Sequence, residues 1–162
     1  MSAVGLEVVR GVNVKNDVLN YLATAPEINC FLASRTQLLE KSKNSTLLVY
    51  RNSNSEIEGV TYIGGNLIPA ISSRAALLAL VDHLRSKQYK FSSIVGESKT
   101  VFDLWEFIAH LYSEPRAIRQ SQPLLSLRGV PKISGDPLVH PATLADLDEV
   151  VEVGIAMFTA EV

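Results

Sequence analysis

Apolar positions along the chain change period several times, and each change marks an element. Residues 6–10 alternate weakly and are rich in β-branched side chains, which predicts a first strand leading to a polar turn at residues 13–16. Asn16 and Asp17 are placed to cap a short helix with Val18, Leu19 and Leu22 on one side. Pro26 breaks that helix and opens a second, in which Ile28, Phe31, Leu32 and Leu39 recur at roughly helical spacing.

The next stretch reads as a hairpin. Residues 46–51 and 57–63 are β-rich runs joined by Asn52, Ser53, Asn54 and Ser55, side chains that bond turn backbone locally. Gly64 and Gly65 interrupt the second arm, which resumes at residues 66–70, so a bulge or strand bend is expected at the glycine pair. Ser72 or Ser73 is a natural N-cap for a helix whose Leu77, Leu80, Val81 and Leu84 form one stripe. Residues 91–95 read as a buried strand closed by Gly96. Ser98 opens a helix with Val101, Leu104, Trp105, Ile108, Leu111 and Tyr112 on one side, stopped by Pro115.

A last strand is expected within residues 118–127, strongest at 124–127. Gly129, Pro131, Gly135 and Pro137 then give residues 128–137 the composition of a connector. We therefore place a first domain at residues 1–127, a linker at 128–137 and the start of a second domain at 138–162. In that last part residues 138–140 are a candidate strand, and Thr143 with Asp146 resembles a capping box. The helix that follows carries Leu147, Val150, Val151, Gly154, Ile155 and Phe158 on one face, a stripe that needs a partner. The expectation is a truncated second domain, or an element that packs on its own first domain or on a second copy of the chain.

Composition narrows the function classes. The chain has 162 residues, 47% of them hydrophobic, enough for one substantial core. Its 15 Lys and Arg nearly balance 17 Asp and Glu, so no field strong enough to concentrate a nucleic acid is expected. The apolar runs are well short of the roughly 20 residues that span a bilayer, and the start lacks the pattern of a secretory signal. No membrane contact and a cytoplasmic location are the expectations. Cys30 is the single cysteine, which excludes an internal disulfide and a zinc site built on paired thiolates. It is read as a small buried hydrophobe, and His83, His110 and His140 are isolated, so no metal site is expected.

The predicted order of strand, two helices, three-strand meander, helix, strand, helix and strand matches the layout of the GNAT acetyltransferase fold. Five segments carry a more specific similarity: residues 26–35 (PEINCFLASR), 64–70 (GGNLIPA), 92–96 (SSIVG), 119–125 (RQSQPLL) and 156–162 (AMFTAEV). They resemble a bacterial family in which a GNAT-like N-terminal domain of unknown function precedes a GNAT N-acetyltransferase domain. The resemblance implies an α/β (α+β) GNAT-like three-layer fold, a mixed central sheet flanked by helices. It also implies acetyl-CoA as the family's cofactor and a catalytic C-terminal acetyltransferase domain, beyond Val162, as the partner of this one. A homodimer is the other partner considered.

A GNAT fold holds the CoA diphosphate on backbone amides where the central strand meets the next helix. By that resemblance the cofactor candidates here are Asn66, Leu67, Ile68, Ser72, Ser73 and Arg74. Residues 67–75 contain no glycine, and Pro69 lacks an N–H, so close wrapping of backbone around a diphosphate is not expected. The preferred reading is an ordinary N-cap with a solvated arginine, in an accessory domain that binds no cofactor itself. Glu56 and Glu58, at the start of the second hairpin strand, are the candidates for a general base, with a solvated strand edge as the alternative. Phe102 and Trp105 are read as core side chains ahead of stacking platforms. An acyl-CoA-binding acetyltransferase domain active in its own right, and a self-associating module, are the rival functions.

Overall fold

Leu47, Leu48 and Val49 follow one another in sequence, and all three are fully buried. Successive strand side chains point to opposite faces, so such a run requires a strand covered on both sides. That strand belongs to a five-stranded mixed sheet with five α-helices in the computed structural model, which describes residues 5–9, 15–39, 42, 44–130 and 132–161. The elements are β1 (Gly5–Val9), α1 (Lys15–Leu22), α2 (Pro26–Gln37), β2 (Thr46–Arg51), β3 (Ile57–Ile63), β4 (Asn66–Ile71), α3 (Arg74–Ser86), β5 (Ser93–Ile94), α4 (Ser98–Ile108) and α5 (Leu147–Glu161). Expectations resting on Arg10, Asn13, Val14, Pro131 and Val162 lie outside the described residues.

The chain divides into two compact units, Met1–Ser126 and Leu127–Val162. In the first, the strands follow sequence order, antiparallel from β1 to β4 and parallel from β4 to β5. Alternation along them sorts the core into two layers. Leu47, Val49, Val60, Tyr62 and Ile68 meet Val18, Leu22 and Leu32 of α1 and α2. Leu48, Ile63 and Leu67 meet the α3 stripe and Leu104 and Ile108 of α4. Helices thus cover both faces of one sheet.

Local chemistry explains the helix starts. Ser73 caps α3, its hydroxyl accepting from the Ala76 N–H at 3.2 Å. Pro26 stands at the first position of α2, where its missing N–H costs nothing. Arg51 ties three elements together, its guanidinium donating to Glu7 of β1, Asp17 of α1 and the Ser55 carbonyl at 3.2, 3.2 and 3.0 Å.

Several expectations change. Asn16 and Asp17 lie inside α1, since Lys15 is already helical. The glycine pair is not a bend within one strand: it joins β3 to β4, with Ile63 facing Leu67 across the turn. Gly64 is needed there because a Cβ would sit 2.6 Å from the Tyr62 hydroxyl. The bulge lies instead opposite Tyr50 and Arg51, where Glu58 is the extra residue in β3.

The expected strand at residues 91–95 shrinks to Ser93–Ile94, partly exposed, and Pro69 supplies the reason. The Val95 N–H donates to the Leu67 carbonyl at 3.0 Å, so Leu67 presents its backbone to β5. Pro69, two residues on along the same edge, has no N–H to continue the ladder. Helix α4 ends at Ile108, and a single 3₁₀ turn at Ala109–Leu111 leads away before Pro115 is reached. Residues 118–127 form no strand, because no neighbouring strand offers them a ladder, and Leu124, Leu125 and Leu127 stay exposed.

In the second unit residues 138–140 are likewise not a strand, and Leu138 lies in a turn closed by Asp136. The capping box is present: Thr143 accepts from the Ala145 N–H, and the Asp146 carboxylate accepts from the Thr143 N–H at 2.8 Å. The 3₁₀ turn it caps, Leu144–Asp146, leads into α5, which is exposed apart from half-buried Gly154, with Val150, Ile155 and Phe158 all open to solvent.

Candidate functional site

The polar chemistry of the first unit gathers where β4 hands over to α3, and the loop from β2 to β3 builds it. Asn52 organises that loop by accepting the Asn54 and Glu56 N–H groups on its side-chain carbonyl at 2.9 and 3.1 Å. This is the local bonding that makes asparagine a turn former. It leaves the Asn52 amide free to donate to both candidate carboxylates, Glu56 at 3.0 Å and Glu58 at 2.8 Å. Sequence alternation places the two glutamates on one face of a strand. Glu56 precedes β3 and Glu58 is the bulge, and it is Asn52 that brings them together.

Glu58 also reaches α3. The Ser73 side chain beside its carboxylate, with the Asn52 amide second, holds the Glu58 pKa below the usual carboxylate value. The Glu58 carbonyl accepts from both the backbone N–H and the hydroxyl of Ser72, at 2.9 and 3.0 Å. Tyr21 of α1 closes the group, its hydroxyl 3.5 Å from the Ala70 carbonyl. Burial raises the Tyr21 pKa, the Ser72 hydroxyl opposes the rise and the Glu58 charge adds to it.

The six cofactor candidates do not converge. Ser72 and Ser73 are committed to Glu58 and to the helix cap. Arg74 turns away to stand 6.0 Å over the Phe107 ring. Leu67 and Ile68 are buried in opposite core layers. Asn66 begins β4, about 17 Å from its far end at 3.3 Å per residue, and its amide donates to the Ser93 hydroxyl at 2.7 Å.

The arrangement acts as a charge device. The N-terminal amides of a helix carry partial positive charge that favours an anion. At α3 a side chain of the same protein, the Glu58 carboxylate, stands at that end. A general base working near neutral pH needs a raised carboxylate pKa, and Glu58 is shifted the other way. His83 sits apart from this site, stacked on Tyr89 with its Nε2 2.8 Å from the Tyr89 hydroxyl. Burial, then the nearby Lys87 charge, lowers its pKa. Cys30 is exposed, not buried as expected, because α2 turns Leu32 and Thr36 inward and leaves the other side to solvent. No group of three or more His, Cys, Asp and Glu at metal-binding distance occurs among the described residues, and none of their helices is long and apolar enough to cross a membrane.

A family model described as a domain of unknown function, DUF4081, matches residues 47–150. The chain belongs to the DUF4081 family. No curated protein and no solved structure matches the chain. The DUF4081 match takes in every residue of the Glu58 site except Tyr21, and it extends past the first unit into α5. Sequence reasoning missed Asn52 and Tyr21 as partners in that site. Asn52 carried only a turn signal, and Tyr21, outside the Val18, Leu19 and Leu22 stripe, carried none.

A carboxylate whose pKa falls on folding contributes stability above its ordinary value and loses it as pH falls through the folded value. Glu58→Gln is therefore expected to unfold at lower urea than the parent at pH 7. The gap should narrow as pH falls past the ordinary carboxylate value and through the lowered folded value of Glu58, where the parent side chain also becomes neutral. Paired denaturation curves at pH 7 and pH 3.5 measure this, and a gap unchanged by pH would refute it.

Proposed function

We propose that the first unit is an accessory GNAT-like domain without chemistry of its own, attached to an N-acetyltransferase domain that transfers acetyl from acetyl-CoA to an amine. The observation that carries this reading is the Glu58 carboxylate at the start of α3. A diphosphate needs donors at that strand-to-helix turn, and the Ser72 N–H, the Ser72 hydroxyl and the Ala76 N–H already have protein acceptors. Pro69 offers no N–H, and the negative charge of Glu58 opposes a second anion at close range. The element order and the mixed sheet support the GNAT-like comparison.

In this reading the domain shapes or supports the acceptor cleft of its catalytic partner, and α5 opens that partner. The open apolar side chains of α5 support that part, since a helix with apolar residues on most sides is ordinarily buried. The test is turnover. Incubated with acetyl-CoA and a panel of small amines, an aminoglycoside and peptide N-termini, the chain should release no free CoA thiol above the uncatalysed rate. Saturable thiol release that depends on Glu56 or Glu58 would refute the reading.

A further inference from the structure

Apart from the Glu58 site, β5 and α4 border a second feature that the accessory role leaves unused. Residues 112–120 and Gln122 line, together with residues of β5 and α4, a cleft of about 860 Å³. That volume lies within the range of ligand sites, which pair an apolar wall with a few placed polar groups. Here the wall is aromatic. Trp105 and Phe102 line the cleft from α4, and Phe91 and Tyr112 add two more rings, their centroids 4.8 Å apart. Arg116 and Arg119 also line it, and neither carries an ion pair among the described residues. Two guanidiniums against one carboxylate in the lining, Glu114, leave the cleft positive.

We propose that this cleft binds a small organic anion, its flat apolar body against Trp105 and Phe102 and its carboxylate or phosphate held by Arg116 and Arg119. Guanidinium matches carboxylate and phosphate in planar, paired geometry, while an aromatic wall takes an apolar face and rewards no particular headgroup. The two arginines sit on an exposed irregular segment, so they are removable without opening the core. The proposal does not rest on the accessory reading, because the cleft and the Glu58 site share no residue.

Trp105 is the only tryptophan, so a single indole N–H resonance reports on the cleft. The full chain, isotope-labelled, is titrated with 2-naphthoate, with neutral 2-naphthamide and with inorganic phosphate. Naphthoate is expected to shift the Trp105 indole and the amides of residues 92–98 saturably. Naphthamide should bind at least tenfold more weakly, and the double variant Arg116→Ala with Arg119→Ala should bring naphthoate down to the naphthamide level. An unchanged amide spectrum outside the cleft shows that the variant is folded. The proposal is overturned if naphthoate gives no saturable shift, if naphthamide binds as tightly, or if the double variant keeps full affinity. Phosphate that binds as tightly as naphthoate would reduce the cleft to a bare anion site and also overturn it. Shifts confined to residues 72–76 would instead count against the accessory reading and not for this one.

Discussion

Leu84→Ala is expected to destabilise the first unit by about 2–5 kcal/mol, the range for removing a fully buried leucine and leaving a cavity. Leu84 is 0% exposed and belongs to the core layer formed by Leu48, Leu67, Leu80, Leu104 and Ile108. Those neighbours stand on β2, β4, α3 and α4, so no single element can move in to fill the space. Urea denaturation followed by circular dichroism measures the loss. Leu125→Ala, at a leucine 87% exposed, should stay within about 0.5 kcal/mol of the parent. A Leu84 variant as stable as the Leu125 variant would mean that α3 and α4 are not packed on the sheet as described.

The second large effect is expected at Gly59, where β3 passes under α3. A Cβ there would lie 2.9 Å from the Ala76 Cβ and 3.5 Å from the Tyr50 Cβ. Both are fixed to backbone, so Gly59→Ala must push strand and helix apart, an overpacking cost of about 1–3 kcal/mol. Gly65→Ala is the control. A Cβ at Gly65 meets nothing within 4 Å, and its stability should lie within about 0.5 kcal/mol of the parent. Equal denaturation midpoints for the two variants would contradict the approach of β3 to Ala76. The Gly59 variant also reaches the Glu58 site, since Glu58 is the adjacent residue and Ser73 caps the helix that would shift.

The elements that could be read from sequence are those whose signal is local. Both arms of the β2–β3 hairpin, Thr46–Arg51 and Ile57–Ile63, match their β-rich runs residue for residue. The Ser73 cap, the α3 stripe and the capping box at Thr143 and Asp146 follow from short spacings that act within one turn. What failed depends on partners. Residues 118–127 and 138–140 have strand-like composition, but a strand exists only against another strand, and composition does not say whether one is there. The same holds for β5, whose length is set by Pro69 on its neighbour and not by its own apolar run.

The candidate site was legible only in part. Ser73 as a cap and the lack of glycine in residues 67–75 were visible directly. The partner that gives the turn its charge was not, because Glu58 reaches Ser73 through a bulge, and Asn52 joins the two glutamates from a loop read only as a turn. A period-two pattern carries no mark for one extra residue. The aromatic and arginine cleft was hidden for a similar reason: Trp105 packs on the core with one side and lines the cleft with the other.

In the proposed accessory role, the Glu58 carboxylate occupies the start of α3 and no CoA diphosphate binds there. The most direct measurement is an amide spectrum of the full chain titrated with CoA, read at Ser72, Ser73, Arg74, Ala75 and Ala76. These five amides are expected to stay unmoved at millimolar CoA in the parent chain. A saturable shift at them, with the Glu58 side chain displaced from Ser73, would contradict it.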